Sequence, residues 1–281
     1  MENDNQPLVS VVIACYNHEH FVQDCIQSII DQTYENIELI IIDDGSKDRS
    51  VEKIQEMIPA CKQRFVRFEF RYRPNKGLSA TLNEALEWCE GTYFSPIASD
   101  DILLIKKLEK QVFLMEANTT CKGIFGNMIL IDDKNKEYSY DFKEEKKFFF
   151  KDLFKYSEYL PAPTQILRLN DIKSIGGYNE KFIIEDWYIY LKLIEKGGYF
   201  LRTEDFFTKY RSHADNLSKK RDLMVIGKLQ IADYFRQYEE DANKLIMEVY
   251  LFAFIKILIS NPLLMFRIFF EKIVRRLRGY L

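Results

Sequence analysis

The most constraining feature of this chain is a repeated pairing. A continuous apolar run stops abruptly at polar or acidic residues, and an amphipathic stretch follows. LVSVVIACYN (8–17) is the first such run and IELIIIDDGS (37–46) the second. A run this short, unbroken and rich in β-branched residues predicts a strand buried on both faces. Between the two, Phe21, Val22, Cys25, Ile26, Ile29 and Ile30 recur on one helical face, with Asn17 expected as the N-cap. After the second, Asp48 can cap a helix that turns Val51, Ile54 and Ile58 inward.

The alternation continues. FVRFEFRYR (65–73) reads as a third strand. NKGLSATLNEALEWCEG (75–91) reads as a turn and a helix with Leu78, Leu82, Ala85, Leu86 and Cys89 on one face, ended by Gly91. TYFSPIA (92–98) is a fourth strand that delivers Asp100-Asp101. Strand and helix in turn predict an α/β fold with a mostly parallel, Rossmann-like central sheet flanked by helices. Ligands of such sheets bind outside the carboxyl ends of the strands. Tyr16-Asn17, Asp43-Asp44 and Asp100-Asp101 all fall at such ends.

The second half is less regular. GIFGNMILIDDKNKEYSYDF (123–142) predicts two strands about a polar turn, in which Asp132-Asp133 serve the turn. LPAPTQILRLNDIKSIGGYNEKF (160–182) predicts a strand, a short helix and a Gly-Gly turn. EDWYIYLKLIEKGG (185–198) predicts a helix with Trp187, Tyr190, Leu191 and Ile194 on one face. Glu185-Asp186 lie in its first turn, where the helix dipole favours anions. DFFTKYRSHADNLS (205–218) is a strand running into a polar loop.

The 281 residues suit one large domain with an appendage, here 1–218 and 219–281. A net charge of -3 gives no general argument for nucleic acid. Cys15, Cys25, Cys61, Cys89 and Cys121 are scattered and form no CxxC pair, as expected of buried thiols in a cytoplasmic protein. The polar start MENDNQPLVS is no secretory signal. The stretch 249–281 is dense in Phe, Ile and Leu and carries Arg267, Lys272, Arg275, Arg276 and Arg278. Such a basic amphipathic segment fits an anionic membrane interface, or a helix packed on its own domain or on a partner subunit.

No Walker-type loop, HExxH or GxSxG occurs. An acidic pair after a strand also occurs in phospho-acceptor receiver domains. FRYRPNKG lacks the further Asp that reading needs. Adjacent carboxylates at a strand end suit a hard cation such as Mg²⁺ or Mn²⁺, which shares its shell with phosphate.

VSVVIACYN, QSIIDQTYENIELIIIDDGSKDRS, NKGLSATLNEALEWCEGTYFSPIASDD, IGGYNEKFIIEDWYIYLKL and YRSHADNLS together resemble, in order, the family 2 inverting glycosyltransferases of GT-A fold, including those that build bacterial O-antigen and capsule polysaccharides. The resemblance spans roughly residues 8 to 218. It implies a nucleotide-sugar donor, a UDP-sugar first, and a glycan acceptor, lipid-linked at the inner face of the cell membrane.

The resemblance also implies roles. Ala14 and Tyr16 would line the nucleobase pocket, with Asp44 accepting from the base beside Asp43. Lys76, Gly77 and Asn83 would border the nucleotide. Asp100 would reach the ribose or support the metal shell, and Asp101 would ligate Mn²⁺ or Mg²⁺, leaving open which of the two holds the ion. His213 would be a further metal or diphosphate ligand. Asp186 would be the catalytic base, with Glu185 and Trp187 in the substrate-binding set. His18 and His20 are read as structural. Two departures stand out: Ala98 replaces an Asp frequent in the family, and Ala14 a common Thr. The competing classes are a metal-dependent nucleotidyltransferase, whose basic glycine loop ACYNHEHF does not supply, and a silent sugar-nucleotide binder.

Overall fold

The computed structural model describes residues 6–154, 159–212 and 219–238, with isolated positions at 216, 240 and 247. The chain divides into two units, Met1–Lys219 and Lys220–Leu281. The first unit opens with four strands, β1 (Val9–Cys15), β2 (Ile37–Asp43), β3 (Arg67–Tyr72) and β4 (Tyr93–Ala98). They lie in the order β3-β2-β1-β4, all parallel. The register runs from Val9 opposite Ile37 to Cys15 opposite Asp43, so both strands end level. Helices α1 (Val22–Ile30), α2 (Ser50–Arg64) and α3 (Leu78–Trp88) connect them.

Every residue of β2 is buried, which is why the run shows no polar alternation. Val9, Val11, Ile13, Ile37, Leu39 and Ile41 share one core with Val22, Cys25, Ile26, Ile29 and Ile54 of the helices. Each fully buried aliphatic side chain stabilises the fold by roughly 1.5–3 kcal/mol. That total overrides weak local signals such as Pro59 inside α2. All five cysteines are buried and free.

The rest of the unit holds β5 (Ile102–Leu103), α4 (Lys107–Ala117), β6 (Cys121–Ile131), β7 (Glu137–Asp141), β8 (Lys146–Phe148), α5 (Phe150–Phe154), a 3-10 turn at Ala162–Thr164, β9 (Ile166–Arg168), α6 (Leu169–Ser174), α7 (Glu185–Ile194) and β10 (Tyr199–Arg211). The sheet continues β4-β9-β6-β10-β5. β9 runs antiparallel to both β4 and β6, while β6 and β10 are parallel. The sheet is therefore mixed but mostly parallel, with helices flanking it. The β6–β7 turn is held by Asp132 Oδ1, which accepts from the N–H groups of Lys134 and Lys136, both at 2.9 Å.

Two caps differ from expectation. Asn17 does not cap α1: it sits at φ 57, and α1 begins five residues later at Val22. Its side chain instead accepts from Lys47 N–H at 2.7 Å, because a loop is being stitched there. Asp48 accepts from Ser50 N–H at 3.0 Å, but also reaches Glu19 N–H at 3.0 Å. In the second unit, α8 (Arg221–Tyr234) forms a helical extension in which Ile231 and Ala232 are buried. The basic stretch 249–281 and His213 lie outside the described residues. Among the described residues no helix is long and apolar enough to cross a membrane.

Candidate active site

Three parallel strands end at one edge, and their loops are sewn together there. Asn17 N–H donates to Ser46 Oγ and His18 N–H to Ser50 Oγ, both at 2.8 Å. Asp43 Oδ1 accepts from Gly45 and Ser46 N–H, and its Oδ2 from Ser46 Oγ at 2.6 Å. Gly45, at φ +79, is required: a Cβ there would lie 2.6 Å from Asn75 N. Asp44 reaches across to the next loop. Its Oδ1 accepts from Lys76 N–H at 2.8 Å and its Oδ2 from Gly77 N–H at 2.9 Å. Arg73 forms an ion pair with Asp44 and also donates to Glu84 at 2.7 Å. Asp43 and Asp44 thus build the walls of this edge. Tyr16, the residue after β1, is 45% exposed.

Asp100 and Asp101 follow β4, with Ala98 exposed just before them. Asp101 is 1% exposed, and its Oδ1 accepts from the main-chain N–H of Arg211 at 2.9 Å. Burial, then the neighbouring Asp100, push its carboxyl well above the usual carboxylate range; the Arg211 N–H and charge oppose them. Its Oδ2 is buried with no hydrogen-bond partner among the described residues. Asp100 Oδ1 lies 3.8 Å from His18 Nδ1, and that nitrogen is 2.8 Å from Ser99 Oγ. His18, read as structural in the sequence, is thus held by Ser50 and Ser99 and lies close to the acid pair.

This donor set fits a hard divalent cation. An unsatisfied carboxylate oxygen beside a second carboxylate is the oxygen-rich seat such ions take, with phosphate and water filling the shell. Among the described residues no group of three or more His, Cys, Asp or Glu side chains converges on one point. Substrate oxygens would have to complete the shell.

A second cluster opens α7. Glu185 and Asp186 are partly buried at its first turn. Burial first, then Asp186, push Glu185 up to about 8. Burial also raises Asp186, although its Oδ1 accepts from Trp187 N–H at 2.6 Å. Tyr178 and Tyr190 are buried against the pair, and both phenols are pushed up by burial and by the two carboxylates. A pair pushed upward in this way keeps a carboxylate near the pH at which it can take a proton. Trp187 itself is buried, and its indole N–H donates to Leu153 O at 3.0 Å. Asn83 spends its side-chain amide on the backbone of Tyr178.

Sequence reasoning missed Arg211. This fully buried side chain donates from Nε to Asp100 O at 2.9 Å, from Nη1 to Asp132 O at 2.5 Å and from Nη2 to Asn135 Oδ1 at 2.6 Å. Its guanidinium also lies 4.4 Å from the Phe21 ring centroid. The available signal was an arginine closing an apolar strand, TKYR, where a surface charge would not need to be.

Fold and strand-end acids together define an α/β protein that gathers its polar side chains at the carboxyl ends of its parallel strands, where sheets of this kind bind ligands. Residues 10–174 match the sequence profile described as Glycosyl transferase family 2. The uncharacterized glycosyltransferase MJ1057 of Methanocaldococcus jannaschii is 34% identical over 217 residues, covering 74% of this chain and 71% of that one. The UDP-Glc:alpha-D-GlcNAc-diphosphoundecaprenol beta-1,3-glucosyltransferase WfaP of Escherichia coli is 29% identical, covering 76% and 81%. Several other curated glycosyltransferases match over less than half of their own length. Among solved structures, the mannosyltransferase PcManGT of Pyrobaculum calidifontis, in complex with GDP-Man and Mn²⁺, superposes with TM-score 0.64 at 12% identity, covering 98% of this chain and 81% of that one. The chain belongs to glycosyl transferase family 2, and its fold is GT-A-like.

Proposed function

We propose that this protein transfers a sugar from a nucleotide-sugar, a UDP-sugar first, to a hydroxyl of a glycan acceptor, with inversion at the anomeric carbon. The observation that carries this is the acid pair opening α7, where burial raises both carboxyls. Burial and the neighbouring Asp186 favour the protonated form of Glu185, and Asp186 is the member of the pair assigned as the base. Asp186 takes the proton of the acceptor hydroxyl. The acceptor oxygen bonds to the anomeric carbon as the bond from that carbon to the diphosphate oxygen breaks. The nucleoside diphosphate leaves on the opposite face.

Asp100 and Asp101 would hold Mg²⁺ or Mn²⁺, which when bound neutralises the charge growing on the leaving diphosphate. The Asp101 Oδ2, which has no hydrogen-bond partner among the described residues, supports that placement. Tyr16 would stack on the base, and Asp43, Asp44, Lys76 and Gly77 would shape its pocket. His213 would add a ligand.

The names of the relatives divide on the nucleotide, UDP for WfaP and GDP for PcManGT. Identity of 29% to WfaP over most of both chains favours UDP and a diphosphate-linked lipid acceptor, as in surface polysaccharide assembly at the inner membrane face. The stretch 249–281 would then hold the protein peripherally at the membrane or against a partner subunit. Calorimetry with UDP and with GDP, each with and without Mn²⁺, tests the site. We expect UDP to bind more tightly when Mn²⁺ is present and Asp101→Ala to abolish that gain. Equal UDP affinity with and without the ion would remove the metal from the account.

A further inference from the structure

Helix α3 begins and ends its first two turns on different parts of the molecule. Its N-terminal loop is fixed at Lys76 and Gly77, whose N–H groups both donate to Asp44. Six residues beyond Gly77, Asn83 makes a reciprocal pair with one backbone unit: Nδ2 donates to Tyr178 O, and Oδ1 accepts from Tyr178 N–H, each at 2.8 Å. The side-chain amide behaves as a peptide group in a two-bond bridge. Few residue types can do this. Aspartate keeps the acceptor and loses the donor, and glutamine carries one methylene too many for the same position.

The partner is built to receive it. Gly176 and Gly177 close α6 at φ +87 and +74, with Gly177 N–H donating to Ile172 O at 3.0 Å. A Cβ on Gly177 would stand 2.7 Å from Asn83 Oδ1. Glycine is needed there twice over, for its backbone angle and for the approach of Asn83. Tyr178, next in the chain, is 4% exposed, and the charge of Glu185 and Asp186 acts on its phenol. From there the chain runs to α7, with Phe182 stacked on Tyr188 at 4.6 Å between centroids.

We infer that Asn83 is a positioning residue for the Glu185–Asp186 pair: it clips the Gly177–Tyr178 turn to α3 and so ties the base to the helix whose start shapes the nucleotide loop. The inference rests on the reading of Asp186 as the base. Asn83 then acts through Tyr178 rather than by touching the nucleotide.

The test uses the full chain with Asn83→Asp, Asn83→Ala and, from the other side of the clip, Gly177→Ala. Three readouts separate the outcomes: amide hydrogen exchange, calorimetry with UDP, and UDP release from UDP-glucose with water as acceptor. We expect faster exchange in peptides spanning 176–190, with β1 and β2 unchanged. UDP affinity should stay within about threefold of wild type, while UDP release falls by up to the roughly hundredfold that a misplacement of about 1 Å costs. Unchanged exchange across 176–190, or UDP affinity falling in step with the rate, would overturn the inference. If wild type releases no UDP from UDP-glucose, the reading of Asp186 as a base acting on that donor fails, and the exchange data still decide the clip.

Discussion

The main-chain N–H of Arg211 donates to Oδ1 of Asp101 at 2.9 Å, although 110 residues separate them in sequence. The same arginine's side chain binds the carbonyl of Asp100. The last residue of β10 therefore sets both the main chain and one carboxylate of the acid pair. It also draws in the β6–β7 turn through Asp132 and Asn135.

Arg211→Met should unfold at lower urea than wild type, by about 2–4 kcal/mol, because it leaves several buried acceptors without donors. Arg211→Lys keeps the charge but not the fork of donors, so it should recover only part of that loss. Urea midpoints of the three proteins check this. Equal midpoints for Arg211→Met and wild type would mean that water replaces these bonds.

Glu185 links stability to pH. Its folded-state value of about 8 lies above the ordinary 4.5, so the fold favours its protonated form. That stabilisation is complete below the ordinary value and is lost as pH rises through about 8. Relative to Glu185→Gln, which cannot titrate, wild type should lose stability steadily between pH 5 and 8. Urea midpoints of both proteins across that range give the difference directly. Parallel curves would show that the carboxyl is not raised.

Lys107 carries the opposite sign. It is fully buried at the start of α4, with Nζ donating to Ser95 Oγ at 2.7 Å and Gln165 O at 3.0 Å. Burial lowers it from 10.5 to about 7. The unfolded chain therefore binds more protons than the fold between those values, and stability should rise with pH across that window. Lys107→Met removes this contribution. The stability of wild type relative to the variant should climb from pH 7 to 10, measured by denaturant unfolding. A flat difference would place a paired, charged ammonium there.

The first half of the fold was legible because its signals are local. Buried strands such as VVIAC and IELIIID need only an unbroken apolar run, and α1 needs only its periodicity. The placement of Asp43-Asp44 and Asp100-Asp101 at strand ends followed from those elements. What could not be read is set by distance in sequence. β5 has two residues, too few for any period, and although a strand is expected where β9 lies, its antiparallel place between β4 and β6 is decided by its neighbours. Asn17 looked like a cap because nothing local reveals Ser46 and Lys47 waiting for it. His18 looked structural because Ser99 and Asp100 meet it only after folding. Arg211 and Asn83 act on residues 110 and 95 positions away.

The central claim is that Asp186 takes the acceptor's proton while a nucleoside diphosphate leaves. The most direct measurement is nucleotide release from UDP-sugars by wild type and Asp186→Asn, with UDP affinity measured on both. Wild type should release UDP, and Asp186→Asn should bind UDP as wild type does but liberate it from the UDP-sugar roughly 10²–10⁴-fold more slowly, as expected of a lost base. Release by Asp186→Asn at the wild-type rate would contradict it.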